Sequence, residues 1–180
     1  MEYEKLISRA AAEMRPSGIR KFFDIVATMD NVISLGVGEP DFKTPERVRK
    51  AAMDSLAEGK TRYSSNWGMP KLREEIAHYL KRRFDLDYDI DQILCTIGAS
   101  EAIDVTLRTV LEPGDEVLVV EPSYVAYKPA IQLQHGVPVV VTTKAENDFK
   151  LMPEELEAAI TPKTKALILP YPNNPTGAIM

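Results

Sequence analysis

The chain has 180 residues, enough for about one domain with a sizeable core, and its 44% apolar and 27% charged residues are ordinary for a globular protein. A net charge of −5 excludes a nucleic-acid footprint, no apolar run reaches membrane-spanning length, and the mixed-charge start MEYEKLISRAAAEM is not a signal peptide. The single cysteine, Cys95, excludes an internal disulfide and a cysteine-based metal cluster, and its neighbours Ile93, Leu94 and Ile97 suit a small core residue. These features point to a cytoplasmic protein that binds neither nucleic acid nor membrane.

No repeat or low-complexity segment interrupts the chain. Residues 3–13 read as a short helix. After the Pro16-Ser17-Gly18 break, residues 18–29 read as a second, because Ile19, Phe22, Phe23 and Val26 recur at helical spacing. NVISLGVGEPDF then gives a short strand and a loop rich in glycine and proline. Thr44 as N-cap, Pro45 at the first helical position and Glu46 in the first turn open a helix that stops at Gly59. TRYSSNWGMP is a loop. The helix over 69–84 places Leu72, Ile76, Tyr79, Leu80 and Phe84 on or near one face, and Lys81-Arg82-Arg83 is its solvated end.

From residue 93 the rhythm changes. Strands are expected at 93–98, 117–122, 137–143 and 165–172, alternating with helices at 99–111, 123–135 and 152–160. Such alternation predicts βαβ units and a largely parallel sheet, a three-layer αβα arrangement of the α/β class. The unbroken runs VLVV and PVVV suit strands covered on both faces. Residues 1–44 lack this rhythm, so they are set apart from 45–180 by a soft boundary near Thr44. No helix follows the last strand, which suggests a sheet with one face uncovered.

Ligands of open α/β sheets bind beyond the carboxyl ends of the strands, and three loops leave such ends. In Ile97-Gly98-Ala99-Ser100-Glu101 a glycine and small residues open a helix, where free N–H groups and the Ser100 hydroxyl can hold an anion. The plainer reading is a turn glycine with Ser100 as N-cap. In Glu121-Pro122-Ser123-Tyr124, Ser123 is a plausible N-cap and Tyr124 either stacks on a flat ligand or packs half-buried. In YPNNPTG, Pro172 and Pro175 stiffen a turn that holds Asn174, whose amide either serves a ligand or closes an Asx turn. One anion cradle, one aromatic plate and one fixed amide could converge on a phosphorylated, flat, heteroaromatic ligand.

The segments ISLGVGEPDFKTP, RYSSNWGMPKLREEIA, TIGASEAI, LEPGDEVLVVEPSY and ITPKTKALILPYPNNPTGA together resemble the N-terminal portion of a class I/II aminotransferase of the pyridoxal-phosphate fold type I family. The resemblance covers nearly the whole chain. It implies pyridoxal 5'-phosphate as cofactor, an amino acid and a 2-keto acid as substrates, and a homodimer. It gives Ala99 and Ser100 to the cofactor phosphate, Tyr124 to its ring and Asn174 to its phenolic oxygen. It also sends Tyr63 to the phosphate of the neighbouring subunit and sets Gly38 against the substrate carboxylate. On the residues alone, Tyr63 is equally an exposed loop aromatic and Gly38 a plain turn glycine. The implied chemistry uses the pyridinium as an electron sink while a proton leaves the α-carbon and the amino group passes to a second keto acid.

The family's Schiff-base lysine, its pyridine-binding aspartate and its carboxylate-gripping arginine are expected beyond the NNPTG turn. None of the twelve lysines, Lys5 to Lys165, stands in the lysine motif, so no catalytic residue and no metal ligand is named. The chain is therefore expected to be a fragment without transaminase activity by itself. A lysine that helps one subgroup hold acidic side chains is replaced here by Ser100, and the substrate stays open. The alternatives are another reaction on the same fold, such as a β-lyase or a carbon–carbon bond-forming enzyme, and a non-enzymatic aminotransferase-like binding domain. The latter is disfavoured because only roughly 30 residues precede the ISLGVG segment, too few for a DNA-reading module. A generic nucleotide-binding domain ranks last, because neither glycine-rich phosphate motif occurs.

Overall fold

A computed structural model describes residues 6–14, 25, 28–33, 38 and 40–179. Most of the expected helix over 18–29 and most of the expected ISLGV strand lie outside those residues; Val32 and Ile33, which are described, form no strand. Two compact units emerge, one of Met1–Ser17 with Ile97–Met180 and the other of Gly18–Thr96. Thr44, where the sequence rhythm suggests a boundary, lies within the second.

The first unit is built on a parallel sheet of order β2-β1-β3, with β1 Glu116–Glu121, β2 Val137–Thr142 and β3 Thr164–Ile168. Its helices are α1 Arg9–Ala12, α4 Gly98–Val110, α5 Tyr127–Leu133 and α6 Pro153–Ala159. Parallel neighbours cannot be joined by a tight hairpin, so α5 carries the crossover from β1 to β2 and α6 returns the chain toward β3. The β1–β2 ladder runs in register from Glu116 opposite Val137 to Glu121 opposite Thr142. Val119 pairs with Ile168 on the other side, after one irregularity between Glu116 and Val117. This is the α/β class, a partial three-layer αβα fold.

Only β1, the central strand, is covered on both faces. Val117, Leu118 and Val119 are each 1% exposed or less, as is Ile131 of α5. Burial of that completeness contributes about 1.5–3 kcal/mol per side chain. Val117 and Val119 point the same way and meet Leu107 and Ile103 of α4, Ile131 of α5, and Ala166 and Ile168 of β3. The close approach of α5 to β2 depends on Gly136, where an added Cβ would stand 2.9 Å from both Ile131 Cγ2 and Leu111 Cδ1. The edge strands depart from expectation. Val140 of β2 and Leu167 of β3 are exposed, so the PVVV run marks an edge strand and not a doubly covered one.

The second unit contains α2 Glu46–Ala57, α3 Pro70–Phe84 and a single 3-10 turn at Ile90–Gln92. α2 buries no residue, and α3 buries only Arg73. The Arg73 guanidinium donates to the Ile90 carbonyl at 2.8 Å and so ties α3 to the 3-10 turn. The expected strand at 93–98 is absent. The backbone there has no ladder partner among the described residues, and the Cys95 amide donates instead to the Trp67 carbonyl at 3.0 Å. Cys95 is accordingly half-buried rather than central to a core, wedged so close to Gly68 that a Cβ there would lie 2.5 Å from its own Cβ.

The expected caps also shift. α2 begins at Glu46 with Pro45 at the N-cap and no side-chain cap bond, so Thr44 does not cap it. α4 begins at Gly98, which places Ser100 inside the first turn rather than at the N-cap. α5 begins at Tyr127 with Ala126 at its N-cap, leaving Ser123 in the preceding loop. Pro129 then falls within the first turn of α5, where a missing N–H costs no helical bond.

Candidate functional site

The carboxyl edge of the sheet is where chain exits, and their free polar groups, accumulate. Beyond β1 comes Glu121-Pro122-Ser123-Tyr124, beyond β2 comes Thr143, and beyond β3 comes the turn Tyr171–Gly177. The first turn of α4 belongs to the same edge. α4 ends where the chain turns through Glu112-Pro113-Gly114-Asp115 into the start of β1, and Leu107 and Ile103 lay it along Val117 and Val119. At about 1.5 Å per residue a helix of that length runs back across the strands.

That first turn has the chemistry of an anion cradle. Ala99 and Ser100 are exposed, and the opening N–H groups of an α-helix have no intrahelical acceptor. Gly98 sits at φ +79° with open space around its Cβ direction, so the backbone angle, and not crowding, calls for glycine. Glu101 reaches back within the turn and accepts a hydrogen bond from the Ile97 amide. The helix therefore starts with one carboxylate already at its positive end.

Tyr124 is 40% exposed and stands edge-on to Tyr127, with ring centroids 5.6 Å apart and planes at 80°. Its loop is fixed at several points. Thr143 donates twice to the Glu121 carbonyl, through its amide at 2.7 Å and its hydroxyl at 2.9 Å. The Glu121 carboxylate pairs with Lys128 of α5 at 2.6 Å. Asn173 Nδ2 donates to the Pro122 carbonyl at 3.0 Å. Lys144, just past Thr143, donates to Glu155 at 3.0 Å, and that hydrogen bond, helped by the carboxylate's charge, holds its ammonium above the ordinary lysine range. The lysines beside the β1 and β2 exits are thus both ion-paired.

In the turn after β3 the paired asparagines divide the work. Asn173 is buried, and its backbone closes the turn, donating to Ala178 O at 3.0 Å and accepting from Gly177 N at 2.8 Å. Gly177 adopts φ +72°, which the turn requires. Asn174 is exposed. The X-Pro bonds at Glu121-Pro122, Tyr171-Pro172 and Asn174-Pro175 are cis.

Ala99, Ser100, Tyr124 and Asn174 therefore all belong to the sheet unit and to its carboxyl edge. Tyr63 and Gly38 belong to the other unit. Tyr63 is fully exposed, and an added Cβ on Gly38 would meet nothing within 4 Å among the described residues. Sequence reasoning missed Asn173, Thr143 and the Glu121–Lys128 pair. The Asn-Asn doublet was a usable signal, since adjacent side chains in a tight turn face different surroundings.

The family model described as aminotransferase class I and II matches residues 30–180. The chain is 46% identical over 168 residues to an aromatic-amino-acid aminotransferase of Thermococcus litoralis, covering 93% of this chain and 43% of that protein. It is also 46% identical over 168 residues to an aspartate aminotransferase of Pyrococcus abyssi, with the same coverage of 93% and 43%. Among solved structures, the Thermus thermophilus aspartate aminotransferase with maleate superposes with a TM-score of 0.89 at 39% identity, over 96% of this chain and 46% of that one. The chain thus spans less than half the length of the curated relatives it matches. No described helix is long and apolar enough to cross a membrane.

Proposed function

The chain belongs to the class I and II aminotransferase family, and on that premise we propose that the protein carrying it is a pyridoxal-phosphate-dependent aminotransferase that moves an amino group between an amino acid and a 2-keto acid. The observation that carries this reading is the bond from Asn173 Nδ2 to Pro122 O, which draws the loop of Tyr124 and the turn of Asn174 together at the carboxyl edge of a parallel sheet. The donor set fits the cofactor. Exposed N–H groups at Ala99 and Ser100, with the Ser100 hydroxyl, suit a phosphate. The half-exposed Tyr124 ring suits a flat heterocycle, and the exposed Asn174 amide suits a phenolic oxygen. Bound there, the cofactor would supply an electron sink for the substrate's α-carbon.

The rest of the proposal rests on the family. Tyr63 reaches the phosphate of a neighbouring subunit in a homodimer, and Gly38 lets backbone approach the substrate carboxylate. Residues 1–44 serve as an arm and a small-domain segment, and residues 45–180 as the first part of the cofactor-binding domain. The setting is the cytoplasm, in keeping with the single cysteine.

The test is a pyridoxal phosphate titration of the protein followed by its absorbance, together with an assay that separates amino transfer from ammonia release. Ser100→Ala and Asn174→Ala are each expected to weaken binding about tenfold, the effect of losing one hydrogen bond to a charged or polar ligand group. Binding unchanged in both variants would sink the cofactor assignment. Ammonia release without amino transfer would replace the aminotransferase with a lyase on the same fold.

A further inference from the structure

We infer that Asn173 is a positioning residue for this site, a role that rests on the cofactor reading above. It reaches no ligand itself; its amide sets the turn bearing Asn174 against the loop bearing Tyr124.

The geometry is specific. Asn173 is 9% exposed, while its neighbour Asn174 is exposed. Nδ2 spans 51 positions of sequence to the Pro122 carbonyl at 3.0 Å, two residues before Tyr124. The backbone of Asn173 also closes the 173–178 turn from both of its polar groups. A shift of this residue therefore moves Asn174 directly and the Tyr124 loop through Pro122. Oδ1 is buried and takes no donor among the described residues, so the contact with Pro122 is what orients the amide. On the far side of the same loop Thr143 holds the Glu121 carbonyl. The Tyr124 loop is thus gripped from β2 and from the β3 exit together. Asn173→Asp preserves size and shape but sets an oxygen against the Pro122 carbonyl oxygen, removing the only donor the side chain has.

Two measurements decide it. In the cofactor-free protein, hydrogen exchange of the side-chain amides, read by nitrogen-15 NMR, should be at least about tenfold slower for Asn173 than for Asn174. Equal rates would overturn the inference without any variant having to fold. Pyridoxal phosphate titrations then test the coupling. Asn173→Asp and Asn173→Ala should each weaken binding about tenfold. In an Asn174→Ala background the same changes should cost only about threefold, since the Tyr124 loop alone is left to position. Equal losses in both backgrounds would reduce Asn173 to a general structural residue and overturn the inference. Should Ser100→Ala and Asn174→Ala both leave affinity unchanged while Asn173 still exchanges slowly, the cofactor reading fails, and the positioning role falls with it.

Discussion

The two units of this chain contain similar helices and bury them very differently. In the sheet unit α4 and α5 lay Leu107 and Ile131 on Val117 and Val119, at 4% exposure or less. In the 18–96 unit α2 leaves Val48, Met53 and Leu56 at 51, 69 and 65% exposure and buries nothing. Helical periodicity is present in both. The difference is a partner surface. A central strand offers apolar side chains on two faces, whereas a helix with few packed neighbours can only present its stripe. An apolar stripe therefore foretells an element, but burial depends on what lies opposite.

The sharpest way to break that comparison is to truncate one leucine in each unit. Leu118→Ala, at a position 1% exposed, should cost about 2–5 kcal/mol, from lost transfer energy and an unfilled cavity. Leu56→Ala should change stability by less than about 0.5 kcal/mol, as exposed positions do. Urea unfolding followed by a probe in each unit reads both. Comparable losses would mean that Leu56 is packed in the working protein.

A smaller effect tests Arg73, a buried anchor of the 18–96 unit. Arg73 donates to Ile90 O at 2.8 Å, while its nearest carboxylate, Asp91, is 3.8 Å away and 92% exposed. The hydrogen bond to the carbonyl should therefore matter more than the ion pair. Arg73→Ala should lower local stability around α3 and Ile90 by about 1–3 kcal/mol, the cost of an orphaned carbonyl and lost packing. Asp91→Asn should do almost nothing. Amide hydrogen exchange across residues 70–93 distinguishes the two, and a loss from Asp91→Asn as large as that from Arg73→Ala would reverse the assignment.

The same contrast explains what was legible in the sequence. Alternating apolar runs and helical spacing located β1, β2, β3, α4 and α6 to within a few residues, because each helix satisfies its own backbone and each strand finds a partner in the same parallel sheet. Strand 93–98 failed for a physical reason. Its apolar pattern was right for a strand, but pattern does not supply a ladder partner, and Cys95 bonds Trp67 instead. Candidate-site residues at strand exits could be read because the carboxyl edge of a parallel sheet is predictable from topology. The supports were hidden. Nothing local to Asn173 encodes a hydrogen bond to Pro122, and nothing local to Thr143 encodes two hydrogen bonds to Glu121 O, since both depend on strand order β2-β1-β3.

The smallest expected effect sits at the end of α3. Lys81 donates to Asp85 and to Asp87, each at 2.7 Å, where the helix stops with Asp85 at φ +55°. The hydrogen bond to Asp85, and next that to Asp87, raise the Lys81 ammonium above its ordinary 10.5. A folded-state value raised above the unfolded one contributes stability in full below pH 10.5, and that contribution fades as pH climbs through the folded value. The group is solvent-exposed, so the gain is slight and falls with salt. In a titration from pH 9 to 12 followed by the carbon-13 shift of the Lys81 ε-carbon, the midpoint should lie above 10.5 and move down when Asp85→Asn is introduced. A larger drop with Asp87→Asn would transfer the helix-ending contact from the residue that caps α3 to the loop beyond it.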